Sequence, residues 1–380
     1  MKITQDEIEA RALRLGFSFI GFTRADQSPH FHQYREIIAR QSLGDLNFLK
    51  QPYVIQGRKH PASLLTGAKS VIMLGTKYPP PPPQSKAEKA KPHGTISAYA
   101  AVPDYHQVIR EKASQLMEQL QQDFLPDVHW RIFIDSGPML EKDMVFSTGL
   151  CSIGKNSLCI HPEHGSYFFI CCILTDLELK IDQSSTLQDL CGDCKQCVNA
   201  CPTGCIINHT IGITRCIAYL TIEHKGIIPR DLRSKIGNLI YGCDVCQSVC
   251  PYNKHPGIKY NGFFFNIDPV LSLHLDLNEE IVQTPEIFNK KFGTTPIQRI
   301  GYERYIRNII IVAGNTRDTR CIPALQRLAT HPNDLFSIHA IWSLHQFSEK
   351  NIKTFLFSLF ELDISNQAAI ELRTLLEEND

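Results

Sequence analysis

Over the first 180 residues the apolar positions change period several times, as they do in a chain that mixes helices and strands. Ile8, Leu13 and Leu15 fall on one helical face and predict a helix over 5–15. Compact apolar runs predict short buried strands at 17–22, 70–75, 130–134 and 167–174, with a helix over 108–124. Tyr78 is followed by five prolines, 79–83, and then by a Lys-rich stretch to Lys91, which predicts a stiff exposed loop. Cysteines, prolines and glycines crowd 191–250, so loops and short helices are expected there. The last hundred residues predict four short helices at 302–313, 321–329, 335–346 and 351–360. Breakers separate them at Gly314-Asn315, 331–334 and Ser348.

Composition narrows this picture. The 380 residues suffice for two or three domains, and 43% apolar content allows a sizeable core. Lys+Arg and Asp+Glu are both 39, which excludes a strong general attraction to nucleic acid or anionic membrane but leaves local patches open. The start, MKITQDEIEA, lacks the apolar run of an export signal, and the most apolar segment, 167–175, is too short to span a bilayer. A cytoplasmic protein without membrane association is expected. In that compartment fourteen cysteines point to metal binding and away from disulfides.

The cysteines carry the most specific signal. Cys191, Cys194, Cys197 and Cys201-Pro202 form C-x2-C-x2-C-x3-C-P, the bacterial ferredoxin run. In it three thiolates wrap one 4Fe–4S cubane and the fourth ligates the other cluster. Zinc, which favours cysteine pairs, is the competing reading. The second run, Cys243, Cys246 and Cys250-Pro251, lacks a member. The swap assigns Cys250 to the first cluster, with Cys191, Cys194 and Cys197. It leaves Cys201, Cys243 and Cys246 needing a fourth ligand. Cys216 in the connecting segment is the natural donor, and Cys205 competes for the place. Cys151, Cys159, Cys171 and Cys172 read as structural, the last two inside an apolar strand.

The segment upstream holds three further polar motifs. In Ile134-Asp135-Ser136-Gly137-Pro138, Asp135 ends a strand and enters a turn before a helix. Such a carboxylate either projects into a cleft or caps the helix. Gly154-Lys155-Asn156-Ser157 lacks the upstream glycine of a P-loop, but it could set a cation and an amide against a cofactor rim. Asp104-Tyr105-His106 reads as a helix cap followed by an aromatic staple.

Taken in order, GRKHP, DYH, DSGPMLEK, GKN, HGSYFF, CGDCKQCVNACPTGC and YGCDVCQSVCPYNK resemble the epoxyqueuosine reductase family over about residues 5–315. The ferredoxin runs alone would not single it out; DSGP and GKN upstream of them do. Here Cys151-Ser152-Ile153 stands where the family often has Gly-Trp, and Cys205 where it has a small residue. The resemblance implies an α+β fold in three parts: a mixed α/β, nitroreductase-like cobalamin domain (1–180), a ferredoxin-type two-cluster domain (181–262) and a helical HEAT-like tail (263–380). It implies two 4Fe–4S clusters and cobalamin, and a tRNA substrate whose anticodon loop carries epoxyqueuosine. The implied reaction removes the epoxide oxygen at the wobble position, the last step to queuosine.

By the same resemblance Asp135 is the catalytic acid, whose protonated form a partly desolvated site would favour. Arg58, Ala98 in a 97–99 strand, Asp135 itself, Lys155, Asn156, Tyr241, Gly242 and Asp244 are the cofactor contacts. A monomer fed by a low-potential electron donor is expected. Lys225, Arg230, Arg233, Lys235, Arg299, Arg304 and Arg307 are candidates for gripping tRNA phosphates. Two other readings compete. A cobalamin and iron–sulfur reductive dehalogenase would act on a small molecule, and a plain electron carrier would not need the large N-terminal part.

Overall fold

The computed structural model describes residues 3–82, 91–124, 126–181, 189–207, 209–254, 262–266, 270–362 and 364–377. Most of the Lys-rich stretch that follows the prolines lies outside them. Strands β1 (Phe19–Arg24), β2 (Ser70–Lys77), β3 (Gly94–Ile96), β4 (Trp130–Phe133), β5 (Phe168–Thr175), β6 (Leu239–Tyr241) and β7 (His274–Leu275) build two sheets. Among the described residues the α-helices of five residues or more are α1 (Gln5–Arg14), α2 (Phe31–Arg40), α3 (Pro52–Lys59), α4 (Tyr105–Asp123), α5 (Glu141–Ser147) and α6 (Gln196–Ala200). They continue with α7 (Pro285–Phe292), α8 (Gly301–Thr316), α9 (Ile322–Ala329), α10 (Asp334–His345), α11 (Lys350–Ser358) and α12 (Asn366–Glu377). The content is therefore mixed α and β. Among the described residues no helix is long and apolar enough to cross a membrane.

The chain forms two units. The first comprises Met1–Pro80, Val102–Ile213 and Val245–Pro269. Its sheet runs β1-β2-β5-β4, antiparallel throughout. β2 is central and buried at every position. It therefore reads as a continuous apolar run rather than an alternation. Gly75 is needed where β2 passes β1, because a Cβ there would lie 2.1 Å from the Phe19 ring. β4 forms an edge, and α4 packs beside it. Asp104 caps α4 by accepting the His106 amide at 3.0 Å, so the helix starts three residues before the apolar pattern alone places it.

The second unit comprises Pro81–Ala101, Thr214–Asp244 and Val270–Asp380. Its sheet runs β6-β3-β7. Residues 98–100 are a 3-10 turn, not the strand expected at 97–99, because Ser97 ends the ladder by donating to the Tyr241 carbonyl at 2.8 Å. The four tail helices are present as α8 to α11, and α12 follows them. Gly314-Asn315 does not stop α8. Gly314 lets α8 press against Ser343 of α10, where a Cβ would sit 2.8 Å from the Ser343 Cα. The helix ends instead at Arg317, in the left-handed conformation at φ +51.

Candidate iron–sulfur and acid site

In the first unit Cys191, Cys194, Cys197 and Cys250 line one cavity of about 420 Å³, together with Asn156 and Tyr252. These are the four cysteines that the swap assigns to one cubane. Burial raises the thiols of Cys191, Cys197 and Cys250, and the neighbouring thiols add to the rise for each. The Lys155 amide opposes it at Cys191 by donating to Sγ at 3.4 Å. Amide donors of this kind tune a cluster's potential. The Lys155 ammonium holds the carbonyls of Gly192 and Cys194 at 2.5 and 3.0 Å, and the Asn156 amide donates to the Cys246 carbonyl at 3.4 Å. The Gly-Lys-Asn turn thus braces the cysteine segments. Among the described residues no three His, Cys, Asp or Glu side chains converge as they would on a single metal ion.

The Cys201 sulfur lies 3.5 Å from both Thr203 Oγ1 and the sulfur of Cys205, which is itself buried. Cys216, Cys243 and Cys246 are partly accessible. Cys151, Cys159, Cys171 and Cys172 are buried, and burial pushes the Cys159 thiol up to about 12. They are core residues.

Asp135 follows β4 and adopts φ +48, a left-handed conformation that an aspartate tolerates better than most side chains. Its carboxylate accepts the Tyr105 hydroxyl and, at 2.8 Å, His106 Nε2. It does not cap the helix that follows. His106 Nδ1 meets Asp104 Oδ1 at 2.8 Å, so the imidazole bridges two carboxylates. Burial works against its charge. The hydrogen bonds and charges of Asp104 and Asp135 prevail and raise it to about 9. The Asp135 side chain is 54% exposed. In the sequence Asp104-Tyr105-His106 reads as a helix cap followed by an aromatic staple, and nothing in it marks Tyr105 and His106 as partners of Asp135.

Arg58 and Glu141 stand near this loop. Gly57 lets α3 run against it, since a Cβ there would lie 2.5 Å from the Pro138 carbonyl. The Arg58 guanidinium stacks 5.0 Å over the Tyr34 ring, and among the described residues its buried Nε has no hydrogen-bond partner. Glu141 Oε1 is likewise buried with no partner among the described residues. Burial raises the Glu141 carboxyl to about 7, with the Arg58 charge opposing and the Asp135 charge adding. Glu141 was missed in the sequence, although it closes the DSGPMLE motif.

The other expected contacts lie in the second unit. The Ala98 amide donates to Asp244 Oδ2 at 2.7 Å, and burial raises the Asp244 carboxyl. Gly242, at φ +70, passes so close to Ser97 that a Cβ would meet its Oγ at 2.2 Å. Tyr241 is a correction. It is 0% exposed and its hydroxyl donates to the Pro296 carbonyl, so its side chain is core and has no face for a ligand. The basic candidates need correction too. Arg233 is buried against Glu371, which Arg230 also contacts. Arg307 is 0% exposed, donating to the carbonyls of Leu220, His224 and Gly226. Arg304 is held by three carbonyls, and Arg299 pairs with Glu223. Lys225 and Lys235 remain exposed.

The family model of the 4Fe-4S double cluster binding domain matches residues 190–253. The protein is thus an iron–sulfur protein of mixed α/β fold, carrying a strand-end carboxylate upstream of its cysteines. A second model, epoxyqueuosine reductase QueG, DUF1730, matches residues 58–136, a stretch that begins at Arg58 and includes Asp135. The epoxyqueuosine reductase of Escherichia coli K12 is 35% identical over 90% of this chain and 89% of its own. That of Francisella cf. novicida is 36% identical over 87% and 93%. The chain belongs to the epoxyqueuosine reductase family. Among solved structures, epoxyqueuosine reductase with an epoxyqueuosine-modified tRNA-Tyr stem loop matches with a TM-score of 0.86 and 27% identity, over 98% of both chains. The Bacillus subtilis enzyme, solved with its catalytic aspartate loop swung out of the active site, matches at 0.84 and 28%, again over 98% of both.

Proposed function

We propose that this protein reduces the epoxide of epoxyqueuosine at the tRNA wobble position, completing queuosine. The observation that carries the reading is Asp135. A non-glycine residue is held left-handed at a strand end, its carboxylate gripped by Tyr105 and His106 inside the segment that matches the family model. The net change consumes two electrons and two protons, opens the C–O bonds, leaves an alkene and releases water.

The electrons pass through two 4Fe–4S clusters. Cys191, Cys194, Cys197 and Cys250 hold the first, supported by their common cavity. Cys201, Cys216, Cys243 and Cys246 hold the second, on the swap rule. We assign cobalamin as the resident cofactor; when bound, it supplies a low-valent metal centre able to attack an epoxide carbon. The residues fit it. Arg58 Nε and Glu141 Oε1 give one buried donor and one buried acceptor without partners, suited to an amide-rimmed macrocycle. In the first unit Arg58 would hold it, while Lys155 and Asn156 keep the first cluster's loop in place. Asp135 protonates the departing epoxide oxygen, and the His106 imidazolium orients and recharges it.

In this reading 1–180 is the nitroreductase-like cofactor domain, 181–262 the ferredoxin-type domain and 263–380 the HEAT-like tail. The protein is a cytoplasmic monomer served by a low-potential donor. The test is turnover of tRNA from a strain that accumulates the epoxide, by anaerobically purified protein with cobalamin and a low-potential reductant. Queuosine should form, and cobalamin bands should overlie the cluster absorption. Full cluster loading without any queuosine would sink the proposal.

A further inference from the structure

We propose that a groove beside the Asp135 loop binds phosphates of the RNA strand that delivers the substrate nucleotide. The inference rests on the proposed tRNA activity and adds the place where the strand is gripped. The groove, about 480 Å³, is lined by Arg110 and Ser114 of α4, Trp130 and Arg131 of β4, and Ser136 and Pro138 of the loop. Its wall therefore includes the residue directly after Asp135.

Helix geometry sets the arrangement. His106, Arg110 and Ser114 follow one another at intervals of four residues, so they share a face of α4. His106 touches Asp135. Arg110 stands one turn further along, about 6 Å away at 1.5 Å per residue, with Ser114 a turn beyond it. Arg131 joins them from the edge strand β4, beside which no further strand lies among the described residues. A substrate held at Asp135 thus leaves its flanking backbone along a row of two guanidiniums and two hydroxyls.

The guanidiniums keep their charge available. Both arginines are exposed. Arg110 donates only to the Ile132 carbonyl at 3.5 Å, and Arg131 only to the Leu64 carbonyl at 3.2 Å while stacking 5.2 Å over Phe133. Among the described residues neither is paired with a carboxylate. Carbonyl and ring contacts orient a guanidinium without neutralising it, and its planar fork matches a phosphate's oxygens. Among the arginines the sequence singled out, Arg230, Arg233 and Arg299 are paired with glutamates and Arg304 and Arg307 are held by backbone carbonyls. With zero net charge overall, a local pair of free guanidiniums beside the acid is what a polyanionic substrate requires.

The test uses the full holoprotein and an epoxyqueuosine-modified anticodon stem loop, with Kd measured across a salt series. R110A and R131A should each raise Kd about fivefold, and the double variant about thirtyfold. The slope of log K against log salt should fall by about 0.7 for each phosphate that is no longer gripped. R110K and R131K should keep most of the slope, which a merely structural role would not predict. Inorganic phosphate at millimolar concentration should fail to displace the stem loop. If it competes fully, the groove is a site for free anions and the proposal is overturned. A double variant with wild-type Kd and salt slope, at intact cluster absorption, overturns it as well. Failure of the functional reading shows separately, as a wild-type protein that binds the stem loop but forms no queuosine.

Discussion

Replacing His106 with glutamine keeps a hydrogen-bonding side chain on α4 but removes the imidazolium. Two charge-assisted contacts of 2.8 Å disappear, one to Asp135 and one to Asp104. A hydrogen bond to a charged group contributes about 1.5–3 kcal/mol. If the Asp135 bond matters only as the proton leaves the carboxyl, kcat should fall about 10- to 100-fold, at about 1.4 kcal/mol per decade.

The pH dependence gives a second readout. His106 is raised from 6.5 to about 9. A raised folded value means that its contribution to stability is complete below 6.5 and is lost as pH rises through about 9. The raw shift corresponds to about 3 kcal/mol. With the side chain 25% exposed, solvent screening leaves about 1–2 kcal/mol. The thermal midpoint of the variant should therefore lie below wild type at pH 7 and converge on it near pH 10. Its turnover should be low but should lack the alkaline fall near pH 9. The assay is single-turnover formation of queuosine from modified tRNA between pH 6.5 and 10, paired with thermal melts. A variant with the wild-type rate and the same alkaline limb would refute the role given to His106.

Asp135→Ala should retain both clusters, seen in the visible spectrum, while making no queuosine; normal turnover would remove the acid assignment. Cys216→Ser should lose about four irons per chain, whereas Cys205→Ser should keep the full content. An iron count with the opposite result would move the eighth ligand to Cys205, whose sulfur lies 3.5 Å from Cys201. Gly57→Ala puts a methyl group 2.5 Å from the Pro138 carbonyl and should cut turnover at least tenfold by displacing the Asp135 loop, with cluster absorption unchanged. Asn308→Ala strips the buried carbonyls of Thr221 and Ile240 of their donor and should cost about 2–4 kcal/mol, read from chemical denaturation.

The sequence by itself determined what depends on local spacing. Ligand runs are local: three thiolates of a cubane come from cysteines separated by two residues each, so the cysteines could be read and grouped, and four of them do share one cavity. Periodicity is local too, so the central strand, the long helix α4 and the tail helices stood in the pattern of apolar residues. What only the tertiary structure decided is partnership at long range. His106 and Asp135 are 29 residues apart, and Ala98 and Asp244 are 146 apart. No local rule joins them, because the pairing follows from how sheet, turn and helix pack. The same reason separates the arginines. In sequence Arg307 and Arg110 are both bare positive charges. Packing directs one onto three backbone carbonyls and leaves the other facing an open groove beside Asp135.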